Sequence, residues 1–258
     1  MQGGPAQPRR GRAVTGSWLG RRNPSVKLGL AFAVSLAVSF VLTPTAPAVL
    51  YVLALLAVRL TSRVPWRRLA LAHVPFVAFA SGALLVNAVS RPGTVLWAAG
   101  SLEVTDAGLS VGAALAARTL LIGVLAVGFV VSTDPVDLMT SLQQNARLSP
   151  RVTYALLAGH RLLQELPREW QTIRMAHAVR APLRADGRPE AGVRAFTRAA
   201  FALLVVCVRR GERTAQALES RGLGVGPRTV WRPVRVDRTD VTMAATVLSV
   251  VPVVVLML

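Results

Sequence analysis

Two segments of the chain end on one side-chain pattern. Ala176-His177-Ala178-Val179-Arg180-Ala181 and Ala217-Leu218-Glu219-Ser220-Arg221-Gly222 each place an alanine four residues before an arginine. On a helix those two positions share a face, so the alanine lets a partner surface approach while the guanidinium reaches acceptors there. The chemistry this suggests is recognition rather than turnover. One Ala-x-x-x-Arg means little in an arginine-rich chain, and an arginine at a helix C-terminus commonly just satisfies its own helix dipole. Repetition at the ends of two amphipathic segments is what gives the pattern weight: two similar plugs suit two similar sockets.

Other reactive residue types are sparse. Lys27 is the sole lysine, in Asn23-Pro24-Ser25-Val26-Lys27-Leu28, without the glycines of a phosphate-binding loop; the chain is not expected to bind ATP in that way. One cysteine, Cys207, and three scattered histidines, His73, His160 and His177, give no disulfide framework and no ligand spacing for a metal. No cofactor is expected. Asp134 and Asp137 in "STDPVDL" are the nearest thing to a carboxylate pair, but an aspartate before proline reads as a turn or helix cap. Arg118 stands well inside an apolar segment. It is expected to play a structural role, capping backbone carbonyls or pairing with a buried polar residue such as Asn87.

The elements that must carry these residues are membrane helices. The chain has 258 residues, 53% of them hydrophobic, and a mean hydropathy of +0.49, with several runs approaching the length a bilayer demands. The net charge of +18 lies in arginines flanking apolar segments, the pattern of cytoplasmic loops, so nucleic acid is not an expected partner. Residues 1–22 read as a basic N-terminal arm without structure of its own. Leu28 to Leu42 and Ala48 to Leu60 form a tight membrane hairpin around a Thr-Pro-Thr-Ala-Pro turn. Arg59, Arg63, Arg67 and Arg68 put the next loop inside. Leu69 to Val89 crosses outward, Gly108 to Val131 returns, and Val241 to Leu258 is a final span.

This predicts an all-α polytopic protein with about five membrane helices and a cytoplasmic N-terminus. Residues 23–133 hold four of those helices, 134–239 a basic cytoplasmic region, and 240–258 the last helix. In the cytoplasmic region, Leu156, Leu163, Leu166, Trp170 and Ile173 recur at helical spacing between Pro150 and Arg180, with a bend expected near Pro167. A break at Pro182 to Pro189 precedes a second helix from Val193 to Arg221. Its apolar middle, Ala199 to Val208, is too short to span and suits a helix along the inner membrane face.

With these segments in place, the sequence resembles the T components of energy-coupling factor transporters, the EcfT/CbiQ family. "NPSVKLGLAF" is similar to the family's opening "DPRxKL", "GLSVGAALAARTLL" to its fourth-helix segment with an arginine, and "STDPVDLMTSLQQ" to the polar stretch after it. The two helix ends resemble its paired Ala-x-x-Ala-Arg-Gly motifs, with Val179, Ala181 and Ser220 as departures. The resemblance implies that the long cytoplasmic helices are coupling helices. Ala176, Arg180, Ala217, Arg221 and Gly222 would then dock in two ABC ATPase subunits, while another face grips a substrate-binding S component.

The reading is therefore a non-catalytic subunit in the cell membrane, serving vitamin or metal-ion uptake. Two alternatives from other classes are an integral membrane enzyme acting on lipids, which needs a clustered acid, base or nucleophile, and a membrane-anchored adaptor with a basic domain.

Overall fold

The computed structural model describes residues 16–41, 43–99, 102–181, 192–226 and 233–257. Residues 1–15 of the expected basic arm and the break at Pro182 to Pro189 lie outside these. Among the described residues, eight α-helices follow a short 3-10 turn at Leu19–Arg21: α1 (Pro24–Ser39), α2 (Thr45–Ser62), α3 (Trp66–Ser90), α4 (Asp106–Ser132), α5 (Pro135–Asn145), α6 (Pro150–Val179), α7 (Val193–Ser220) and α8 (Arg238–Met257). The chain divides into two compact units, residues 1–141 with 234–258, and residues 142–233.

The first unit is a membrane bundle. Helices α2, α3, α4 and α8 are long and apolar enough to cross a bilayer, whereas α1, with 16 residues, is shorter. At 1.5 Å per residue α1 is about 24 Å long, less than the roughly 30 Å of hydrocarbon. The fifth expected span is thus the short arm of the α1–α2 hairpin. Val34 and Val38 of α1, Leu50 and Val58 of α2, Leu69 of α3, Leu121 and Val124 of α4, and Val251 of α8 form the buried core. Their outer faces carry large exposed apolar side chains such as Phe32, Leu60 and Phe79, as surfaces turned toward lipid do.

Helix α4 is the centre of the bundle because its small residues let neighbours come close. A Cβ added at Gly112 would stand 2.9 Å from the Leu84 carbonyl oxygen, and one at Gly123 would stand 2.6 Å from Cγ of Phe76. Both contacts bring α3 against α4 through the close approach that small residues permit between membrane helices. The start of α4 is fixed by Thr105, whose Oγ1 accepts the Gly108 N–H at 3.1 Å and donates to the Arg91 carbonyl at 2.7 Å.

Two elements go beyond the helical expectation. Between α3 and α4, β1 (Val95–Ala99) and β2 (Leu102–Thr105) pair antiparallel, Ala99 opposite Leu102 and Val95 opposite Thr105, with a bulge between Val95 and Trp97. The sequence signal is a Gly-Ser pair between two short apolar runs, a hairpin signature. The other is α5, an 11-residue helix that follows the expected Asp134 cap. The Oδ1 of Asp134 accepts the Val136 N–H at 2.8 Å and the Asp137 N–H at 3.4 Å. The candidate carboxylate pair therefore begins with a helix cap.

Candidate functional site

The second unit is built on α6 and α7. Ser149 caps α6 by accepting the Val152 N–H at 3.4 Å, with Pro150 in the first turn, where no N–H is needed. The helix continues through Pro167 to Val179. Three contacts fix its direction against α7. Trp170 meets Phe196 edge-on with ring centroids 5.3 Å apart. Arg210 pairs with Glu165 at 2.6 Å and Glu169 at 3.8 Å. Arg151 lies against Gly224, just beyond α7. The start of α7 is thus beside the later part of α6, and its end is beside the start of α6. The two helices run antiparallel.

Their apolar residues divide between this packing and the surface. Leu166, Trp170 and Ile173 are half-buried, while Leu156 and Leu163 of α6 and Phe201, Leu204 and Val208 of α7 stay exposed. Toward the α7 C-terminus the helices part around a cleft of about 790 Å³ lined by Gly159, Arg161, Gly211, Thr214 and Leu218 among others.

The two arginines stand at opposite ends of this pair, each the residue that caps its helix. Ala176, Arg180, Ala217 and Arg221 are exposed and Gly222 is half-buried. The endings differ in detail. After α7, Gly222 takes a left-handed φ of 76°. Its N–H donates to the Glu219 carbonyl at 2.8 Å and the Leu223 N–H to the Leu218 carbonyl at 2.9 Å. That is the paired closure in which a left-handed glycine satisfies the last carbonyls. After α6 the Arg180 N–H donates to the His177 carbonyl at 3.2 Å and the Ala181 N–H to the Ala178 carbonyl at 3.3 Å, tightening the last turn without a glycine. Gly222→Val should therefore fray the end of α7, costing about 1–2 kcal/mol for a branched residue in left-handed geometry. Amide exchange across Ala217–Leu223 should quicken while α6 peptides do not change; unaltered exchange would show that the glycine is dispensable.

In the membrane unit, Arg118 bonds a backbone carbonyl. Its Nη2 donates to the Val41 carbonyl at 2.6 Å, at the tip of the α1–α2 hairpin. Pairing with Asn87 does not occur in this structure. The Asn87 amide instead donates to the Ala83 carbonyl at 2.8 Å and accepts from Arg91 Nε at 3.1 Å.

Lys27, of interest in the sequence only for the chemistry it could not do, is buried. Its Nζ donates to the Ser132 carbonyl at 2.8 Å and the Leu19 carbonyl at 3.2 Å, tying the first turn of α1 to the last of α4. Nearby, Arg22 stands 3.8 Å from Asp240 and 3.9 Å from Asp237, with its guanidinium 5.0 Å from the Trp18 ring centroid. The Thr239 hydroxyl and the Arg238 N–H hold the exposed Asp237 carboxyl below the usual carboxylate range, so it stays ionised beside Arg22. His73 is a packing residue, its Nδ1 2.8 Å from the Leu69 carbonyl and its ring between those of Tyr51 and Phe76. Among the described residues no group of His, Cys, Asp and Glu could hold a metal ion.

The family model CbiQ, described as a cobalt transport protein, matches residues 15–229. The match contains both arginine-capped helix ends and stops before α8. No curated protein matches the chain.

Proposed function

Since the chain belongs to the CbiQ family of cobalt transport proteins, we propose that it is the transmembrane coupling subunit of an energy-coupling factor importer. In this reading two ABC ATPase subunits bind nucleotide and move α6 and α7 as arms, and the arms reorient an S component that holds the vitamin or metal ion. The subunit itself turns over nothing.

The observation that carries the reading is the antiparallel placing of the two arginine-capped ends. Arg221 lies three residues before Gly224, which touches Arg151, and Arg180 lies 29 residues further along α6. At helical rise that is about 40 Å. An antiparallel pair has an approximate two-fold axis across it, so its two C-termini offer like surfaces to two subunits related by a two-fold. The exposed apolar side chains Leu156, Leu163, Phe201, Leu204 and Val208 supply a separate face for the S component. The lipid-enzyme alternative loses its best candidate residue, because Asp134 is occupied as the cap of α5.

The test is purification from native membranes in mild detergent: ATPase subunits should accompany the chain in a ratio of two to one. An isolated chain, or one accompanied by other proteins alone, overturns the reading. Orientation is tested separately, with Cys207 first replaced by serine. A cysteine at Glu103, on the weakly basic hairpin side, should react with an impermeant thiol reagent added to intact cells, and one at Gln171 should not. The arginine asymmetry of the loops sets this expectation, and labelling at Gln171 from outside contradicts a cytoplasmic N-terminus.

A further inference from the structure

Three polar side chains that the docking reading does not use meet inside the membrane unit. Asn23, Ser141 and Asp240 are 2%, 0% and 1% exposed. The Asn23 Oδ1 accepts from the Ser141 hydroxyl at 2.7 Å, from the Ser25 hydroxyl at 2.8 Å and from the Ser25 N–H at 3.0 Å. Its Nδ2 donates to the Val234 carbonyl at 3.2 Å, and its backbone N–H donates to Asp240 Oδ1 at 3.1 Å. The other oxygen of Asp240 accepts the Asp237 N–H at 2.9 Å. Arg22 adds its charge at 3.8 Å.

The place of these residues in the chain gives the cluster its meaning. Ser141 is the last residue before the Leu142–Pro233 unit and Val234 the first after it. Both chain crossings between the units are therefore bonded to one asparagine, which also caps α1, and its backbone is bonded to the first turn of α8. We propose that Asn23 is a clasp: a positioning residue that fixes the chain's exit from this unit at Ser141 and its return at Val234 to the starts of α1 and α8, so that force reaching either point is passed to the membrane helices. The mechanical part of this proposal rests on the coupling function above; the clasp itself does not.

The residue type fits the task. A short amide offers an acceptor to Ser141 and, from a separate atom, a donor to Val234. An aspartate would lose the donor and set a second carboxylate against Asp240. An alanine would leave the buried Ser141 hydroxyl and the Val234 carbonyl without this partner, and buried groups lose most when one partner is removed.

The experiment has two arms. In the first, the chain alone in lipid nanodiscs is followed by hydrogen exchange and mass spectrometry. In Asn23→Ala the peptides covering residues 23–27 and 234–241 should exchange about tenfold faster, as loss of buried hydrogen bonds worth roughly 1.4 kcal/mol raises local opening by that factor. Peptides within α3 should not change. Ser141→Ala, which keeps the Val234 bond, should give a smaller increase at the same places and guards against a variant that merely fails to fold. Unchanged exchange in Asn23→Ala overturns the clasp.

In the second arm, complexes that retain wild-type amounts of ATPase are compared for substrate taken up per ATP hydrolysed. Asn23→Ala should lower that ratio severalfold while hydrolysis continues. Faster exchange with an unaltered ratio reduces Asn23 to a packing residue and overturns the positioning role. A wild-type preparation without ATPase subunits would overturn the docking reading instead, and the first arm would still decide the clasp.

Discussion

The Arg180→Ala, Arg221→Ala double variant is expected to insert normally in the membrane and to purify without ATPase subunits. Neither residue lies in a helix long and apolar enough to span, and both cap helices of the second unit, so the bundle core is untouched. If each guanidinium is desolvated in a groove with several acceptors, truncation costs about 2–5 kcal/mol of binding at each end. The losses fall on sites about 40 Å apart at helical rise, too distant to share partners, and should add. Each single variant should keep partial binding and uncouple hydrolysis from uptake. Lysine should rescue poorly because it lacks the planar fork that engages two acceptors. Arg221→Ala should be the more damaging, since Gly222 closes α7 with no side chain to hold a partner off, whereas α6 ends on Ala181. Undiminished ATPase recovery and uptake by the double variant would remove these arginines from the interface.

Arg118→Leu should act on folding instead of docking. The Val41 carbonyl lies just past the end of α1, where helix carbonyls lose their intrahelical donors, and it faces α4 twelve residues, about 18 Å, below that helix's first residue. At such a depth lipid offers no replacement donor. Leucine would also remove a cation whose Nε is buried with no hydrogen-bond partner among the described residues, so the two effects partly offset. A net loss of about 1–3 kcal/mol is expected, with a severalfold fall in folded protein and unaltered transport per assembled complex. Arg118→Lys, which keeps a donor, should recover part of the loss. Full abundance with abolished transport would instead place Arg118 in the transport step.

What could be read in advance and what could not divides by sequence distance. The apolar spans, the Asp134 cap and the arginine-capped helix ends are local patterns, with all their determinants within a helix length. The family resemblance, carried by short motifs, agrees with the match over residues 15–229. Helix α5 and the β-hairpin were missed for a different reason: each is short, and neither has the long periodicity that separates a helix from a loop. The Asn23 cluster could not be seen at all. Its members are separated by more than a hundred residues or by the whole Leu142–Pro233 unit, and a buried asparagine, serine and aspartate look in sequence like ordinary capping residues. The pairing of Arg118 with Val41 in place of Asn87 turned on where the α1–α2 hairpin ends, which depends on packing against α4.

The Arg210 bridge to Glu165 and Glu169 adds little binding energy, because these side chains are 30–50% exposed, but it marks a fulcrum. From Arg210 to Arg221 is eleven residues, about 17 Å, and from the midpoint of Glu165 and Glu169 to Arg180 is thirteen, about 20 Å. The two arms on either side of the bridge are nearly equal. Equal forces applied at both tips in the same direction would produce almost cancelling moments about it and drive translation, while forces in opposite directions would add to a torque. If the two tips are gripped as proposed, a two-fold symmetric partner therefore has two distinct outputs, a push along its axis and a twist about it.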